Sequence, residues 1–234
     1  GGPTLRFPTG EQPLSLGEQI ANAIADDILH ERLQPGEAIP EQHLAQSYQV
    51  SRGPIRDALR ILEKEGVVRI LPRRGARVTQ LSVEEVDEIF VIRATLFGLA
   101  ARLFADQARP QDLKALNALL KQMRALGTDE ATAHAETSAQ MALVMLDQCG
   151  NQQLRAMVLQ LARQIARYTQ LGLLTPARRR VSIKSWRSML HAFASGDALE
   201  AEIIARKMVS NTRREAVSQL NAKRAYDATV QLTG

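Results

Sequence analysis

Three arginines recur at four-residue intervals within the stretch VSRGPIRDALRILEKEG, residues 50–66. Arg52, Arg56 and Arg60 would therefore project from one side of a helix. A guanidinium group is the side chain that most often reads the O6 and N7 atoms of guanine in the major groove of DNA. The pattern indicates a DNA-binding helix, and the alternative is a solvated helix with ion pairs.

The residues that begin this stretch favour a helix with an accessible N-terminal end. Ser51 predicts an N-cap whose hydroxyl accepts the backbone N–H of Gly53. Pro54 falls in the first turn, where its missing N–H does no harm. Backbone N–H groups at such an end favour phosphate. The opposite side of the helix is an apolar stripe of Ile55, Ala58, Leu59 and Leu62.

A basic hairpin is predicted directly after this helix. Residues 67–71 and 76–79 alternate as strands do, and they flank a tip made of Pro72, Arg73, Arg74 and Gly75. Such a tip would follow the phosphates or enter the minor groove, where arginine is favoured. An ordinary solvated turn is the alternative.

Composition and charge are consistent with a helical protein that has an acidic partner. Of 234 residues, 45% are apolar and only 4% aromatic, which favours packed helices over a β-sandwich. The net charge is +5, and the basic residues concentrate at 51–78, with seven arginines and one lysine against one aspartate and two glutamates. A single cysteine excludes an internal disulfide, and the sequence lacks a transmembrane run or a signal pattern, so we expect a cytoplasmic protein.

The fold class predicted from these patterns is mainly α. An N-terminal winged helix-turn-helix domain with a small β-hairpin wing precedes an all-α antiparallel helical bundle. Capping boxes mark the start of each domain, at Ser15 with Glu18 and at Ser82 with Glu85. The predicted parts are a flexible arm (1–13), the DNA-binding domain (14–80), the helical domain (81–221) and a tail (222–234). Helices of the second domain are predicted at 83–107, 110–126, 129–148, 151–172, 177–195 and 197–220.

Several polar residues interrupt apolar stripes of the second domain. Arg93 lies within a stripe that contains Phe90 and Phe97, and a buried arginine needs an anionic partner. That partner is a carboxylate ligand, an internal acid or the other domain. Four further residues are candidates for ligand contacts or, alternatively, ordinary core residues. They are Ser138, Tyr168, Trp186 and Asn211.

The remaining ionisable residues do not suggest a metal or catalytic site. His30, His43, His134 and His191 lack the helical spacing of metal ligands, and His134 and His191 are interpreted as solvent-facing or satisfied core residues. A basic run is interpreted as a solvated helix start, and the alternative is a second nucleic-acid surface. Its residues are Arg178, Arg179, Arg180, Lys184 and Arg187. The sequence has no nucleophile–base set and no phosphate-binding loop, so we do not expect an enzyme.

Specific motifs in the first domain resemble the GntR family of bacterial transcription regulators. These are LQPG at residues 33–36, IPE at 39–41, VSRGPIRDAL at 50–59 and EGVV at 65–68. The second domain more loosely resembles the FadR-type effector domain called FCD, through Ile92 and Arg93, through Gly150 and Asn151, and through residues 196–198.

The resemblance implies a homodimer that binds a palindromic operator in double-stranded DNA and responds to a small-molecule effector. It assigns Arg52 and Arg56 to the recognition helix. Gln42 falls where many members of the family have an arginine that reaches DNA, so this contact is expected to be altered. Ser51, Gly53 and Pro54 match residues that contact the DNA backbone in the family, and Gly75 matches the glycine at the tip of the wing.

The resemblance also implies a departure from the metal site found in many FCD domains. The family's aspartate and first histidine fall on Ser138 and Ala142, and the later histidines fall on Trp186 and Met208. All four ligand positions are replaced, so we expect neither a metal nor a cofactor. The chain is therefore predicted to be a ligand-responsive DNA-binding transcription regulator. Because most members of the family repress transcription, we expect a repressor. In the alternative, the helical domain only dimerises and senses no metabolite.

Overall fold

The first helix begins at the capping box that the sequence predicts. In the computed structural model, which describes residues 14–126 and 130–233, α1 spans Leu16–Leu29. The hydroxyl of Ser15 accepts the backbone N–H of Glu18 at 3.2 Å, and the Glu18 carboxylate accepts that of Ser15 at 2.7 Å. These bonds satisfy donors that a first turn leaves free. The predicted arm at residues 1–13 lies outside the described residues.

Two further helices complete the helical part of the N-terminal domain. Helix α2 spans Glu41–Ser47 and α3 spans Arg52–Lys64. Helix α3 ends before Gly66, which has a φ of 76°. Many helices are followed by such a residue in the left-handed conformation, and it is usually glycine. Both α1 and α2 pack against α3. The core between them consists mainly of branched apolar side chains, among them Ile20, Ile24, Leu44, Ile55, Leu59 and Leu62.

A two-stranded hairpin follows α3, as predicted. Strand β1 (Val68–Leu71) pairs antiparallel with β2 (Gly75–Val78). The backbone N–H of Ile39 donates to the Ala76 carbonyl at 2.8 Å, which ties the segment before α2 to the hairpin. Three helices and a hairpin in this order form the predicted winged helix-turn-helix.

The chain divides into two compact units, Gly1–Leu81 and Ser82–Gly234. Among the described residues, the second unit contains helices and no strand, as the fold class predicted. Phe104 and Phe193 meet edge to face in its core, with ring centroids 4.6 Å apart. The helices are α4 (Val83–Ala105), α5 (Pro110–Ala125), α6 (Ala131–Asp147), α7 (Gln152–Gln164), α8 (Ala166–Leu171), α9 (Pro176–Ser195) and α10 (Ala198–Thr233).

The most extensive contact in the second unit joins α4 and α10. The two helices are antiparallel, since Asp87 near the start of α4 contacts Arg213 while Arg102 near its end contacts Glu202. Arg213 binds both carboxylate oxygens of Asp87, at 2.6 and 3.0 Å. This bidentate geometry fixes the register of the pair.

Two helix predictions differ from the structure. The predicted helix at 151–172 is divided at Ile165, a fully buried residue with φ −111° and ψ 15°. Neither Gly nor Pro lies within 151–171, so the usual helix-breaking residues do not mark this break in the sequence. The last helix continues to Thr233 through residues predicted to form a tail. Half of residues 222–233 are alanine or long polar side chains, which favour helix.

Candidate nucleic-acid interface and ligand site

Helix α3 separates its apolar and basic sides as the sequence predicts. Ile55, Leu59 and Leu62 are at most 1% exposed, so they fix the helix against the core of the first unit. The three arginines at 52, 56 and 60 are all exposed on the other side. A solvent-accessible row of guanidinium groups on a firmly packed helix has the geometry that major-groove readout needs.

Side chains of α2 contact two of these arginines. The Nη2 atom of Arg52 donates to Oε1 of Gln42 at 3.3 Å, and Nε of Arg56 donates to Oε2 of Glu41 at 3.4 Å. Both bonds are long and solvent-exposed, so they contribute little to folding stability. They join the first turn of α2 and the basic side of α3 into one polar surface.

The N-terminal end of α3 corrects one prediction. Ser51 occupies the N-cap position, but its hydroxyl makes no capping bond to the helix. Ser51, Arg52 and Gly53 are exposed, and Pro54 is half-buried. The prediction that the Ser51 hydroxyl accepts the N–H of Gly53 is therefore wrong. The N–H groups of this first turn are left free to donate to an anion such as a DNA phosphate.

The hairpin tip is also accessible. Arg73 and Arg74 are exposed, and the turn closes through the N–H of Arg74, which donates to the Leu71 carbonyl at 3.1 Å. Arg73 has a φ of 62°, a conformation uncommon for residues other than glycine. Gly75 follows with a φ of 72°. This turn keeps both guanidinium groups at the end of the hairpin.

In the second unit, Arg93 is the clearest candidate for a ligand contact. It is half-buried on α4, and its Nε atom is buried without a hydrogen-bond partner. The guanidinium carbon lies 5.6 Å from the centroid of the Phe97 ring. Burial lowers the pKa of Arg93 to about 10, because the charged form loses its hydration. A buried guanidinium with an unused donor favours an anionic ligand.

Ser138 and Trp186 are brought together by a direct contact. The indole Nε1–H of fully buried Trp186 on α9 donates to the hydroxyl oxygen of Ser138 on α6 at 2.9 Å. This bond satisfies the only polar atom of the indole.

The other two candidates lie on different helices of the same unit. Tyr168 on α8 is 6% exposed, and the guanidinium of Arg167 lies 5.3 Å from its ring centroid. Asn211 on α10 is half-buried, and its side-chain oxygen accepts a hydrogen bond from Arg214. Helix α6, which carries Ser138, packs against α4, α8 and α9. The candidates at 93, 168 and 186 therefore lie on three helices that each pack against the helix of Ser138.

Family models match most of the chain. The model of the bacterial regulatory proteins of the gntR family matches residues 16–78, and the FCD domain model matches residues 88–211. The chain belongs to the GntR family. Its first unit is thus the GntR domain, and the FCD domain lies in the second.

This GntR-family chain is similar to curated regulators of two bacteria. It is 38% identical to the transcriptional regulator YdhC of Bacillus subtilis over 112 residues, 48% of this chain and 50% of YdhC. It is 30% identical over 113 residues to the transcriptional repressor RspR of Escherichia coli, 48% of this chain and 49% of RspR. The matched region spans about half the length of these curated relatives.

A solved structure shares the fold of the GntR-family chain along nearly its whole length. The E. coli protein McbR/YncC superposes with a TM-score of 0.75 at 22% identity, covering 91% of this chain and all of that chain. No helix among the described residues has both the length and the apolar character needed to cross a membrane.

The residues of this FCD domain do not fit the divalent metal found in many of its relatives. At two of the expected ligand positions, Ser138 and Trp186 are hydrogen-bonded to each other. An indole N–H has no lone pair to give a metal. Within residues 14–126 and 130–233, no three His, Cys, Asp or Glu side chains lie close enough together to hold an ion.

Sequence reasoning missed a second buried polar pair beside Trp186. His134 is 2% exposed, and its Nε2 lies 3.1 Å from the hydroxyl of Ser182, which is also buried. Burial, and secondarily the charge of Arg179, lowers the pKa of His134 to about 4. His134 is therefore a neutral core residue, one of the two interpretations left open above.

The basic run at the start of α9 is not wholly solvated, which corrects its interpretation. Arg179 is 5% exposed and donates to the carbonyls of Leu173 and Leu174, while its Nε has no hydrogen-bond partner. Arg178 is half-buried, and burial lowers its pKa. The helical spacing of Arg179, Ser182 and Trp186 was the available signal, because it places all three on one side of α9.

Proposed function

We propose that this chain is a DNA-binding transcriptional regulator that pairs as a homodimer on a palindromic operator. The observation that supports this most strongly is the side of α3 opposite its buried stripe, where Arg52, Arg56 and Arg60 are exposed. A homodimer presents two such helices, and an operator with two half-sites one helical turn apart matches that symmetry.

Each part of the surface has a role in this proposal. Arg52 and Arg56 read bases in the major groove, and Arg60 lies further along the same side of α3. The first turn of α3, with Ser51, Gly53 and Pro54, binds phosphate through its backbone. The hairpin tip, with Arg73, Arg74 and Gly75, follows the adjacent phosphates or minor groove.

The regulatory input proposed is a small carboxylate bound within the helical unit. The unpartnered Nε of Arg93 supports an anionic group, since a buried guanidinium that lacks a counter-charge is costly. Ser138, Tyr168, Trp186 and Asn211 would supply the neutral contacts. Binding would shift the populations of dimer arrangements that differ in the separation of their recognition helices. Repression is the proposed outcome, supported by the name of the relative RspR.

A second candidate is a regulator whose helical unit only dimerises. The bond between Ser138 and Trp186 favours it, because two of the proposed ligand contacts already satisfy each other. A thermal-shift screen separates the two, using mono-, di- and aromatic carboxylates with wild-type protein and the Arg93→Gln variant. A shift in wild type that Arg93→Gln lacks supports sensing. The absence of any shift supports the dimerising role.

Fluorescence anisotropy with fragments from the promoter region of the gene tests DNA binding. Arg52→Ala and Arg56→Ala should each weaken operator binding by about 1–3 kcal/mol and relax preference at one base pair. Arg73→Ala and Arg74→Ala should weaken binding to all sequences and reduce the salt dependence by about one phosphate contact each. Arg180→Ala, which removes an exposed arginine of α9, is the matched control. Equal affinity of wild type and Arg52→Ala for every fragment at low salt would overturn the proposal.

A further inference from the structure

One side of α4 exposes two apolar side chains near the middle of the helix. Ile92 is 52% exposed, Leu99 is 39% exposed, and Thr95 between them is also exposed. Glu88 and Arg102, both exposed, continue the row at its two ends. The spacing of these five residues alternates between four and three, so they form one continuous stripe. We call this stripe the outer face of α4.

Other residues of α4 are engaged inside the unit. Phe90 and Phe97 are buried in the core. Gly98 lies so close to α10 that an added Cβ would be 2.5 Å from Cγ of Arg206. Because the helix is held on these sides, the outer face cannot be buried by a rotation of α4.

The centre of the outer face is suited to burial. The hydroxyl of Thr95 donates to the Val91 carbonyl at 3.4 Å within the helix, so covering it leaves no donor unpaired. Beside the C-terminal part of α4, α10 adds two exposed apolar side chains, Leu199 and Ile203. An apolar surface shared by two helices and bounded by charges is typical of a protein–protein contact.

The charges at the two ends make the outer face complementary to itself. Glu88 and Arg102 lie at equal separations in sequence on either side of Thr95. If a second copy packs its α4 antiparallel about a two-fold axis at Thr95, each Glu88 faces an Arg102 of the other copy. Ile92 of each then lies opposite position 98 of the other, next to Leu99. A two-fold axis makes both end pairs form together.

We propose that two copies of this chain pair through the outer face of α4, helix against antiparallel helix. This inference rests on the proposed homodimer and adds the surface and geometry of the contact. A uniformly charged partner such as DNA or an anionic membrane would match only one end of this face, whereas a second copy matches both.

Charge exchange between copies provides the test. Glu88→Arg alone places two arginines together at each end of the interface. Arg102→Glu alone places two glutamates there. The second variant also carries Glu202→Gln, because Arg102 contacts Glu202 within its own chain at 3.4 Å. Each variant should raise the dimer dissociation constant at least tenfold in sedimentation equilibrium. An equimolar mixture of the two should restore it, because both ends of the heterodimer then carry opposite charges.

A matched pair of apolar variants supplies the control. Ile92→Arg should disrupt the dimer, whereas Met157→Arg on α7, at an equally exposed position (52%), should not. Circular dichroism and thermal unfolding of each variant monitor folding. Dimers of unchanged strength in both charge variants and in Ile92→Arg would overturn the inference and leave the homodimer intact. A wild-type chain that is monomeric at micromolar concentration would overturn both the α4 interface and the proposed homodimer. The anisotropy titrations with DNA test base recognition separately.

Discussion

Arg52 on α3 and Gln42 on α2 are joined by a hydrogen bond of 3.3 Å between Nη2 and Oε1. The carboxamide therefore holds one guanidinium at the surface proposed to face the bases, and its own amide N–H groups remain available. Glutamine commonly reads adenine through N6 and N7, as arginine reads guanine. The contact couples the two side chains proposed to read bases.

Gln42→Ala should consequently weaken operator binding by about 1 kcal/mol and alter preference at more than one base pair, because Arg52 loses its support. Anisotropy titrations against an operator and its single-base variants measure both effects. Gln46→Ala, an exposed glutamine on the same helix, is the control. Unchanged discrimination among the variants would show that Gln42 does not act on the bases.

Removal of Arg93 should stabilise the ligand-free protein. The buried Nε has no hydrogen-bond partner, and Arg93→Met keeps a long apolar side chain next to Phe97 while it removes the charge. We expect the free energy of unfolding in urea to rise by about 1 kcal/mol or more. The same variant should lose any thermal shift caused by carboxylates. Destabilisation of ligand-free protein by Arg93→Met would indicate an internal counter-charge instead.

The bond between Trp186 and Ser138 should show a strong non-additive effect. Ser138→Ala leaves a buried indole N–H unpaired and should cost about 1–3 kcal/mol. Adding that substitution to Trp186→Phe should cost much less, because the unpaired donor is then absent. Urea denaturation of the two single variants and the double variant measures this coupling. Additive losses would show that the bond does not contribute to stability.

Stability should fall in mild acid because of His134. Its pKa is lowered from 6.5 to about 4 in the folded chain, so the unfolded chain binds the proton more readily. This contribution to the free energy of unfolding is fully present above pH 6.5 and is lost as the pH falls towards 4, by up to about 3 kcal/mol. Urea denaturation of wild type and His134→Asn at several pH values measures the slope. His191→Asn, an exposed histidine of α9, is the control and should retain the wild-type slope.

The sequence alone determined the local elements of this protein. Capping residues at Ser15 and Ser82, Gly66 after α3, and the alternating strands around Arg73 and Arg74 each specify structure through neighbours a few residues away. The buried stripe of α3 follows from its spacing, and with it the exposure of the three arginines. The motifs around those arginines were also sufficient to predict the family.

Only the tertiary structure decided how the helical unit uses its polar residues. Trp186 and Ser138 are far apart in sequence, and helical spacing cannot show that one satisfies the other. Arg179 belongs to a run of three arginines, and the run itself does not show which of them the neighbouring helices bury. The spacing of Ile92 and Leu99 on the outer face of α4 likewise does not show that both are exposed. Periodicity describes one helix at a time, whereas burial depends on what other helices cover, and this is the physical reason for the difference.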